Sequence, residues 1–407
     1  MSAKRDSAAA TTSLGRSPYP ALFAVIVLAL ILFGLVMCYS TMYPHSIETG
    51  KNPLADMATQ FLSAFLGVVV AVVIWRIIPM RLLSGNLAYV IWIVCFILTV
   101  LGAVIQTTAD EVMGANRWLD IGPLTLQPSE LMKIAVCIMC AKAIADYKRG
   151  DLSFWRAFGL FAVAAGAPLI VILVPQSDLG TTLICAVGIM AVVLLGGIRF
   201  RVLIPVLIFG AAAVVWAVAG TAYRRDRLAV WLDPWVDPLG DGYQLVHAYY
   251  ALAEGGMFGV GLGQSHEKFQ YLPFAYNDFI FAVIGEELGL VGAAVVVLLF
   301  FGLLVAGLHI AFSCRDDFAK MVAGSMVVMV VAQAFLNICC VIGILPVTGK
   351  PLPFFSQGGT ALLVACICMG LVLAASRDDD GQDLYAKRRG NLRLVTNVPA
   401  GSSAKRR

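Results

Sequence analysis

Four charged residues stand at the edges of long apolar runs. They are Glu130 and Lys133 in Gln127-Pro128-Ser129-Glu130-Leu131-Met132-Lys133, Asp178 in Pro175-Gln176-Ser177-Asp178-Leu179-Gly180-Thr181-Thr182, and Asp278 directly before Phe279. Ionisable groups next to hydrocarbon are costly and are candidates for function by default. Carboxylates supply general bases and ligands for hard cations, and a lysine supplies a point charge for a carboxylate or a phosphate. Helix capping is the plainer alternative for the three acids. Pro128 suits a first helical position, which puts Glu130 third, and Asp178 and Asp278 each fall at a helix start. Capping does not explain Lys133, one turn deeper, which needs an acidic partner or an anionic ligand. Glu286 and Glu287 lie about two turns into the run after Asp278. Eight residues rotate a helix by about 800°, so Glu286 falls within about 80° of the Asp278 face and Glu287 points nearly opposite. Gly285 and Gly289 have the spacing of close helix packing.

The elements that must position these groups follow from composition. The chain has 407 residues, of which 60% are hydrophobic and 13% charged, and a mean hydropathy of +0.86. Soluble globular domains carry about 25% charged residues, so a soluble enzyme and a disordered chain are both excluded. Apolar runs at 21–38, 57–75, 87–105, 131–145, 157–174, 181–198, 202–220, 279–312, 321–344 and 360–376 predict an all-α polytopic membrane protein with ten spans. The eighth run exceeds one crossing and is expected to tilt, kink or project. The first run is an uncleaved span, because it is too long for a signal peptide and lacks a small-residue cleavage site.

Arg76, Arg81, Lys148, Arg149, Arg156, Arg199, Arg201, Arg315 and Lys320 fall in alternate turns, which places both termini in the cytoplasm. The organisation is a tail at 1–19, a membrane domain at 20–376 and a basic tail at 377–407. All ten cysteines lie in spans or a cytoplasmic turn, and the Cys137/Cys140 pair is read as packing.

Three outward loops, 106–130, 221–277 and 345–359, are longer than connections require. The stretch 244–254 reads as an interfacial helix stopped by Gly255 and Gly256. Trp231, Trp235, Tyr243 and their aromatic neighbours in the long loop read first as headgroup anchors. Arg224, Arg225 and Arg227 suggest an anionic ligand outside, with internal ion pairs to Asp226, Asp233, Asp237 and Asp241 as the alternative.

Four strings carry a specific resemblance: GANRWLDIGPLTLQPSELMK (114–133), WLDPWVDPLGDGYQ (231–244), GGMFGVGLGQSHEKFQYLPFAYNDFIFAVIGEELG (255–289) and LPVTGKPLPFFSQGG (345–359). Together they resemble the SEDS family, which includes the FtsW and RodA proteins, and the likeness runs from the first span to the tenth. It implies a ten-span fold related to GT-C glycosyltransferases. It further implies polymerisation of lipid II into glycan strands on the outer face of the bacterial cytoplasmic membrane, beside a class B penicillin-binding protein. The polar tails resemble the division subgroup, FtsW, more than the elongation subgroup, RodA, and so imply other division proteins as partners, a septal location and no nucleic acid.

The family's essential acid matches Asp278, its cavity lysine Lys133, and the acid of its Q-P-D-L-G-T motif Asp178. Arg117, Glu130, Arg224, Arg227, Glu286 and Ser356 complete the expected substrate-binding set. Phe274, Tyr276, Asn277, Ser177 and Gln357 depart from the family pattern, and Phe274 removes a carboxylate that would otherwise share work with Asp278.

The implied chemistry is attack of a sugar hydroxyl on an anomeric carbon bearing a diphosphate, with inversion. Asp278 is expected to be the base, or else the ligand of a divalent cation, Mg or Mn, that helps the diphosphate leave. Lys133 is expected to balance Asp278 or to bind the diphosphate. A lipid flippase is the competing class, but it needs polar groups reachable from both faces, whereas Lys133, Asp178 and Asp278 collect near the outer surface. A noncatalytic division scaffold is the third reading.

Overall fold

The computed structural model describes residues 18–48, 50, 52–105, 117–121, 124–198, 228–269 and 271–396. The helices are α1 (Tyr19–Glu48), α2 (Pro53–Ile77), a short α3 (Met80–Leu83), α4 (Leu87–Val104), α5 (Pro128–Arg149), α6 (Phe154–Leu173), α7 (Leu179–Leu195), α8 (Tyr243–Gly255), α9 (Ile280–Ser313), α10 (Asp317–Val341) and α11 (Gly359–Thr396). Helices therefore occupy nine of the ten predicted runs, and the run at 202–220 lies outside the described residues. Seven of them, α1, α2, α4, α6, α9, α10 and α11, are long and apolar enough to cross a bilayer. The 17-residue α7 is shorter, and α5 carries Glu130, Lys133, Lys142 and Asp146 in its buried surface. One feature was not expected: Leu119–Ile121 (β1) pairs antiparallel with Leu124–Leu126 (β2), Leu119 opposite Leu126. Alternation of apolar and polar residues on either side of Gly122-Pro123 suits such a pair.

The bundle is built around α5 and α10. Almost every residue of α5 from Pro128 to Asp146 is buried, and α10 is likewise buried along most of its length. Helix α10 packs against α7, α9 and α11, and α5 against α4, α6 and α7, while α2 packs on α11 and α1 on α9. Exposed Leu62, Phe65, Val94, Ile97, Phe158 and Ile170 give α2, α4 and α6 apolar outer faces, as a lipid-facing wall requires.

Helix ends follow their residues. Pro128 opens α5, and Gly150, at φ 83°, closes it behind Lys148 and Arg149, the usual left-handed stop with cations in the last turn. Arg377 donates to the carbonyls of Trp75 and Ile78 and so satisfies the end of α2. The helix carrying Arg377 runs on to Thr396, past the tail boundary expected at 376. All ten cysteines are free, and Cys137 and Cys140 are fully buried, consistent with packing.

The long eighth run kinks. Gly289 breaks α9 with φ 66° and ψ −167°, and the segment after α8 repairs the broken ladder: Val260 and Gly261 donate to the carbonyls of Glu286 and Glu287, and the amides of Leu290 and Val291 donate to Gly256 and Met257. A Cβ on residue 289 would sit 2.4 Å from the Gly259 nitrogen. Helix α8 ends at Gly255 with Gly256 as its cap, φ 50°, close to the predicted stop. Gly289→Ala meets both the left-handed strain and the backbone clash, and is expected to destabilise the protein by roughly 1–3 kcal/mol, read as a lowered midpoint of thermal unfolding in detergent.

Candidate active site

The first turn of α5 places two opposite charges against each other. Lys133 Nζ lies 2.8 Å from Glu130 Oε2 and donates to Gln333 Oε1 of α10, also at 2.8 Å. The Gln333 amide in turn donates to the carbonyl of Pro351. Glu130 is 2% exposed and Lys133 2%. The capping explanation for Glu130 fails, because its carboxylate is turned to Lys133 while Gln127 makes no side-chain cap bond. The expectation that Lys133 balances Asp278 is replaced by this pairing with Glu130 and Gln333.

Asp178 does two jobs. Its Oδ1 accepts from the Thr181 amide and caps α7, and its Oδ2 lies 2.8 Å from Lys350 Nζ. The same oxygen accepts from the Thr181 hydroxyl at 2.8 Å and from Gln127 Nε2 at 3.3 Å. Burial pushes the Asp178 carboxyl up, but the neighbouring Lys350 and then Arg117 outweigh it, and the pKa settles at about 2. Arg117 reaches the site through backbone, donating to the carbonyls of Gln176 and Ser177 at 2.8 and 3.1 Å. Lys350 also donates to Thr181 Oγ1 and stands 4.0 Å from Glu130 Oε1. Two buried lysines are thus interleaved with two buried carboxylates contributed by α5, α7 and the 345–359 segment.

Asp278 stands half-buried in the turn that leads into α9. Phe279, not Asp278, occupies the cap position there. The 345–359 segment straps this turn in place. Ser356 Oγ donates to the Asn277 carbonyl and accepts from the Leu352 amide. The Gln357 amide donates to the Tyr276 carbonyl, and the Asn337 amide donates to the carbonyls of both Asp278 and Lys350, at 2.7 and 2.8 Å. Ser356 is therefore an anchor of the Asp278 turn; both of its hydroxyl contacts are to backbone. A narrow recess with no room for a water molecule is lined by Asp278, Asn337, Cys340, Thr348, Gly349 and Lys350, and a second, of about 10 Å³, by Glu130, Lys133, Gln333 and Cys368 among others. Burial and then the Asp278 charge push the Tyr276 phenol up.

Four buried side-chain atoms among the described residues lack a hydrogen-bond partner: Ser129 Oγ, Glu130 Oε1, Gln176 Oε1 and Asn337 Oδ1. Buried polar groups are rarely left so. Glu130 and Asn337 line the two recesses, and Ser129 and Gln176 sit on the segments that carry Glu130 and Asp178. Unmet polar demand is thus concentrated where the charges meet.

Glu286 does not join them. Its oxygens accept from Ser265 Oγ at 2.6 Å and from the amides of His266 and Glu267, so it organises the loop before α9 rather than the Asp278 cavity. Glu287 takes Lys268 Nζ at 2.6 Å and Ser40 Oγ at 2.6 Å. Glu267 pairs with His247 at 2.7 Å; burial pushes its carboxyl up despite that partner. Arg224 and Arg227 lie outside the described residues.

These features are borne by the same segments as the sequence motifs. The profile of the FtsW, RodA and SpoVE cell cycle proteins matches residues 20–380. The chain belongs to this family. A probable peptidoglycan glycosyltransferase FtsW of Synechocystis sp. is 34% identical over 364 residues, 88% of this chain and 89% of that protein. Stage V sporulation protein E of Bacillus subtilis is 34% identical over 364 residues, covering 88% and 96%. A chain of a peptidoglycan synthase complex, solved for its coordination of polymerization and crosslinking, is similar with a TM-score of 0.70 and 27% identity, covering 88% of this chain and 97% of its own. The helical membrane fold implied by the resemblance is the fold observed.

Sequence reasoning missed Lys350, Gln333 and Asn337. Lys350 lay inside a quoted motif, and a lysine in a long outer loop reads as solvated. Gln333 and Asn337 are polar residues one turn apart on an otherwise apolar α10, and that spacing was a usable signal. Removing one member of a buried ion pair strands the other. Lys133→Met is expected to cost about 3–5 kcal/mol, and Lys133→Met with Glu130→Gln to recover most of it, as measured by thermal unfolding in detergent.

Proposed function

We propose that the chain is a peptidoglycan glycosyltransferase that polymerises lipid II, with Asp278 as general base. The observation that carries the reading is the state of the three carboxylates at the cavity. Asp178 is held ionised by Lys350 with a pKa of about 2, Glu130 is ion-paired with Lys133, and both are 2% exposed, so neither is open to a substrate hydroxyl. Asp278 alone of the three is half-buried, at the rim of a narrow recess, where a substrate hydroxyl would approach it.

The acceptor GlcNAc 4-hydroxyl gives its proton to Asp278 as its oxygen bonds to the anomeric carbon of the donor. The bond from that carbon to the diphosphate breaks, undecaprenyl diphosphate departs with the electron pair, and the configuration inverts. Lys133 places positive charge beside the leaving group, where electrostatic stabilisation counts most. A divalent cation such as Mg or Mn fits this site as an auxiliary: the Asp278 carboxylate and the unpartnered Asn337 Oδ1 would hold it, and it would neutralise the diphosphate, since such ions favour carboxylate and phosphate oxygen.

The position of the charges supports a polymerase over a flippase. Glu130, Lys133, Asp178 and Asp278 all stand at the N-terminal ends of α5, α7 and α9, one end of the bundle, while alternating access calls for sites near the midplane. Arginine and lysine placement puts that end outside and both termini in the cytoplasm. The partner is a class B penicillin-binding protein, in keeping with the similar chain found in a complex of polymerization and crosslinking. The setting is the division septum, in keeping with relatives called FtsW.

The test is glycan-strand formation from lipid II in vesicles holding the protein and its class B partner. Asp278→Asn is expected to slow polymerisation by about 10²–10⁴. Full polymer from that variant would remove both the base and the cation-ligand roles, and lipid II movement between leaflets without polymer from the native chain would establish the flippase instead.

A further inference from the structure

We propose that Lys350 is a positioning residue for the transfer reaction: its ammonium, pinned on Asp178, holds the 345–359 strap against the cavity and thereby fixes the turn that carries Asp278. The proposal rests on the reading of Asp278 as the base.

The strap has few anchors of its own. It contains no helix between Val341 and Gly359, so its place must come from specific contacts. Among the described residues Lys350 supplies the strap's ionic contacts, to Asp178 Oδ2 at 2.8 Å and more loosely to Glu130 Oε1 at 4.0 Å, with a hydrogen bond to Thr181 Oγ1 beside them. The residue is 4% exposed, and a buried ammonium stays only where its partners are. The stem is cradled as well as the head. It crosses the first turn of α7 at Gly180, where a Cβ would lie 2.6 Å from Lys350 Cγ and 2.8 Å from its Cε. Glycine at 180 is what lets the chain of methylenes lie down and reach Asp178.

From Lys350 the constraint passes to Asp278 in one step. The Asn337 amide group spends its two N–H donors on the carbonyl oxygens of Lys350 and Asp278, so the two backbones are fixed to one side chain. The adjacent Gly349, at φ 64°, stands next to the Asp278 carboxylate: a Cβ there would lie 3.8 Å from Oδ2. Ser356 and Gln357 then hold Asn277 and Tyr276. Freeing the Lys350 end loosens the strap where it touches the base and weakens the Leu352 and Gln357 contacts that follow it.

A misplacement of about 1 Å can cost about 10²-fold in rate, and it acts on the reacting geometry rather than on lipid binding. The experiment compares Lys350→Met, Lys350→Arg and Gly180→Ala with the native chain, each beside the class B partner in vesicles. Lys350→Met is expected to lower kcat by about 10²-fold with KM for lipid II changed less than about twofold, and Lys350→Arg to restore most of the loss. Gly180→Ala removes no charge but displaces the stem, and is expected to lower kcat in the same way.

In parallel, hydrogen exchange at the Leu352 and Gln357 amides, both bonded in the strap, is expected to quicken in Lys350→Met. That readout does not depend on polymerisation, so it separates failure of this inference from failure of the reading of Asp278. A large rise in KM at unchanged kcat would make Lys350 a substrate-binding group and overturn the proposal, as would unchanged kinetics or unchanged exchange. Should Lys350→Met not fold, Gly180→Ala with native kinetics and native exchange would overturn it equally.

Discussion

A charge inside an apolar bundle has to be met by another charge, and that requirement organises the cavity. Each ion taken out of water costs several kcal/mol even after relaxation. Lys133, Lys350, Glu130 and Asp178 are all at most 4% exposed, so the four are stable only as a set. The set spans α5, α7 and the strap, and Gln333 ties it to α10. Neutralisation is therefore also alignment: Lys133 cannot keep Glu130 and Gln333, nor Lys350 keep Asp178, unless those segments stand in one relative arrangement. Asp278 is placed at the rim of this neutral group by the contact of its backbone with Asn337, and it is half-buried where the four are buried.

A second pair of buried acids does comparable work on the outer loop. Glu286 and Glu287 are fully buried on the two turns of α9 before the break at Gly289. Glu286 gathers Ser265, His266 and Glu267, and Glu287 gathers Lys268 and Ser40 of α1. Residues 265–268 are in this way stapled to the helix that starts just after Asp278. The glycines at 255, 259 and 289 allow the approach, since a Cβ on Gly255 or Gly259 would strike the carbonyl of Gly285 or Glu287 at 1.9 or 2.1 Å. The loop's path into the Asp278 turn is set from its own side by Glu286 and Glu287, and from the opposite side by the strap.

Where a feature depends on residues close in sequence, it was legible. The start of α5 at Pro128, the glycine stop of α8, the kink in the eighth run and the capping by Asp178 are all local, and all are found. So were nine helices, because twenty apolar residues have few other uses. What escaped depends on distant partners. Lys350 is 172 residues from Asp178, and nothing near it announces that it is buried. Helical phase placed Glu286 within about 80° of Asp278, which is true of a helix, but Asp278 precedes α9 in a turn, and the phase does not extend through a turn. Ser356 was expected at the substrate, and its hydroxyl is instead taken by the backbone of Asn277 and Leu352.

The two ends of the bundle differ in a way that bears on transport. Helix α5 is buried and unbroken from Pro128 to Asp146, and its inner end is closed by a separate polar set: Lys142 bonds Asp146 at 2.9 Å and the Ser84 carbonyl at 2.7 Å, under the ring of Tyr89. Transporters that alternate between faces commonly break their central helices near the midplane, where carbonyls and helix ends line the path. Here the break in α9 lies at Gly289, nine residues in from its start, and loop backbone fills it. Among the described residues, the charges of α5 thus fall into two separate sets, one at each end of the helix. An arrangement of that kind supports chemistry on a lipid headgroup presented at the Pro128 end, since the two polar sets of α5 are parted by the buried apolar stretch from Ile134 to Ala141.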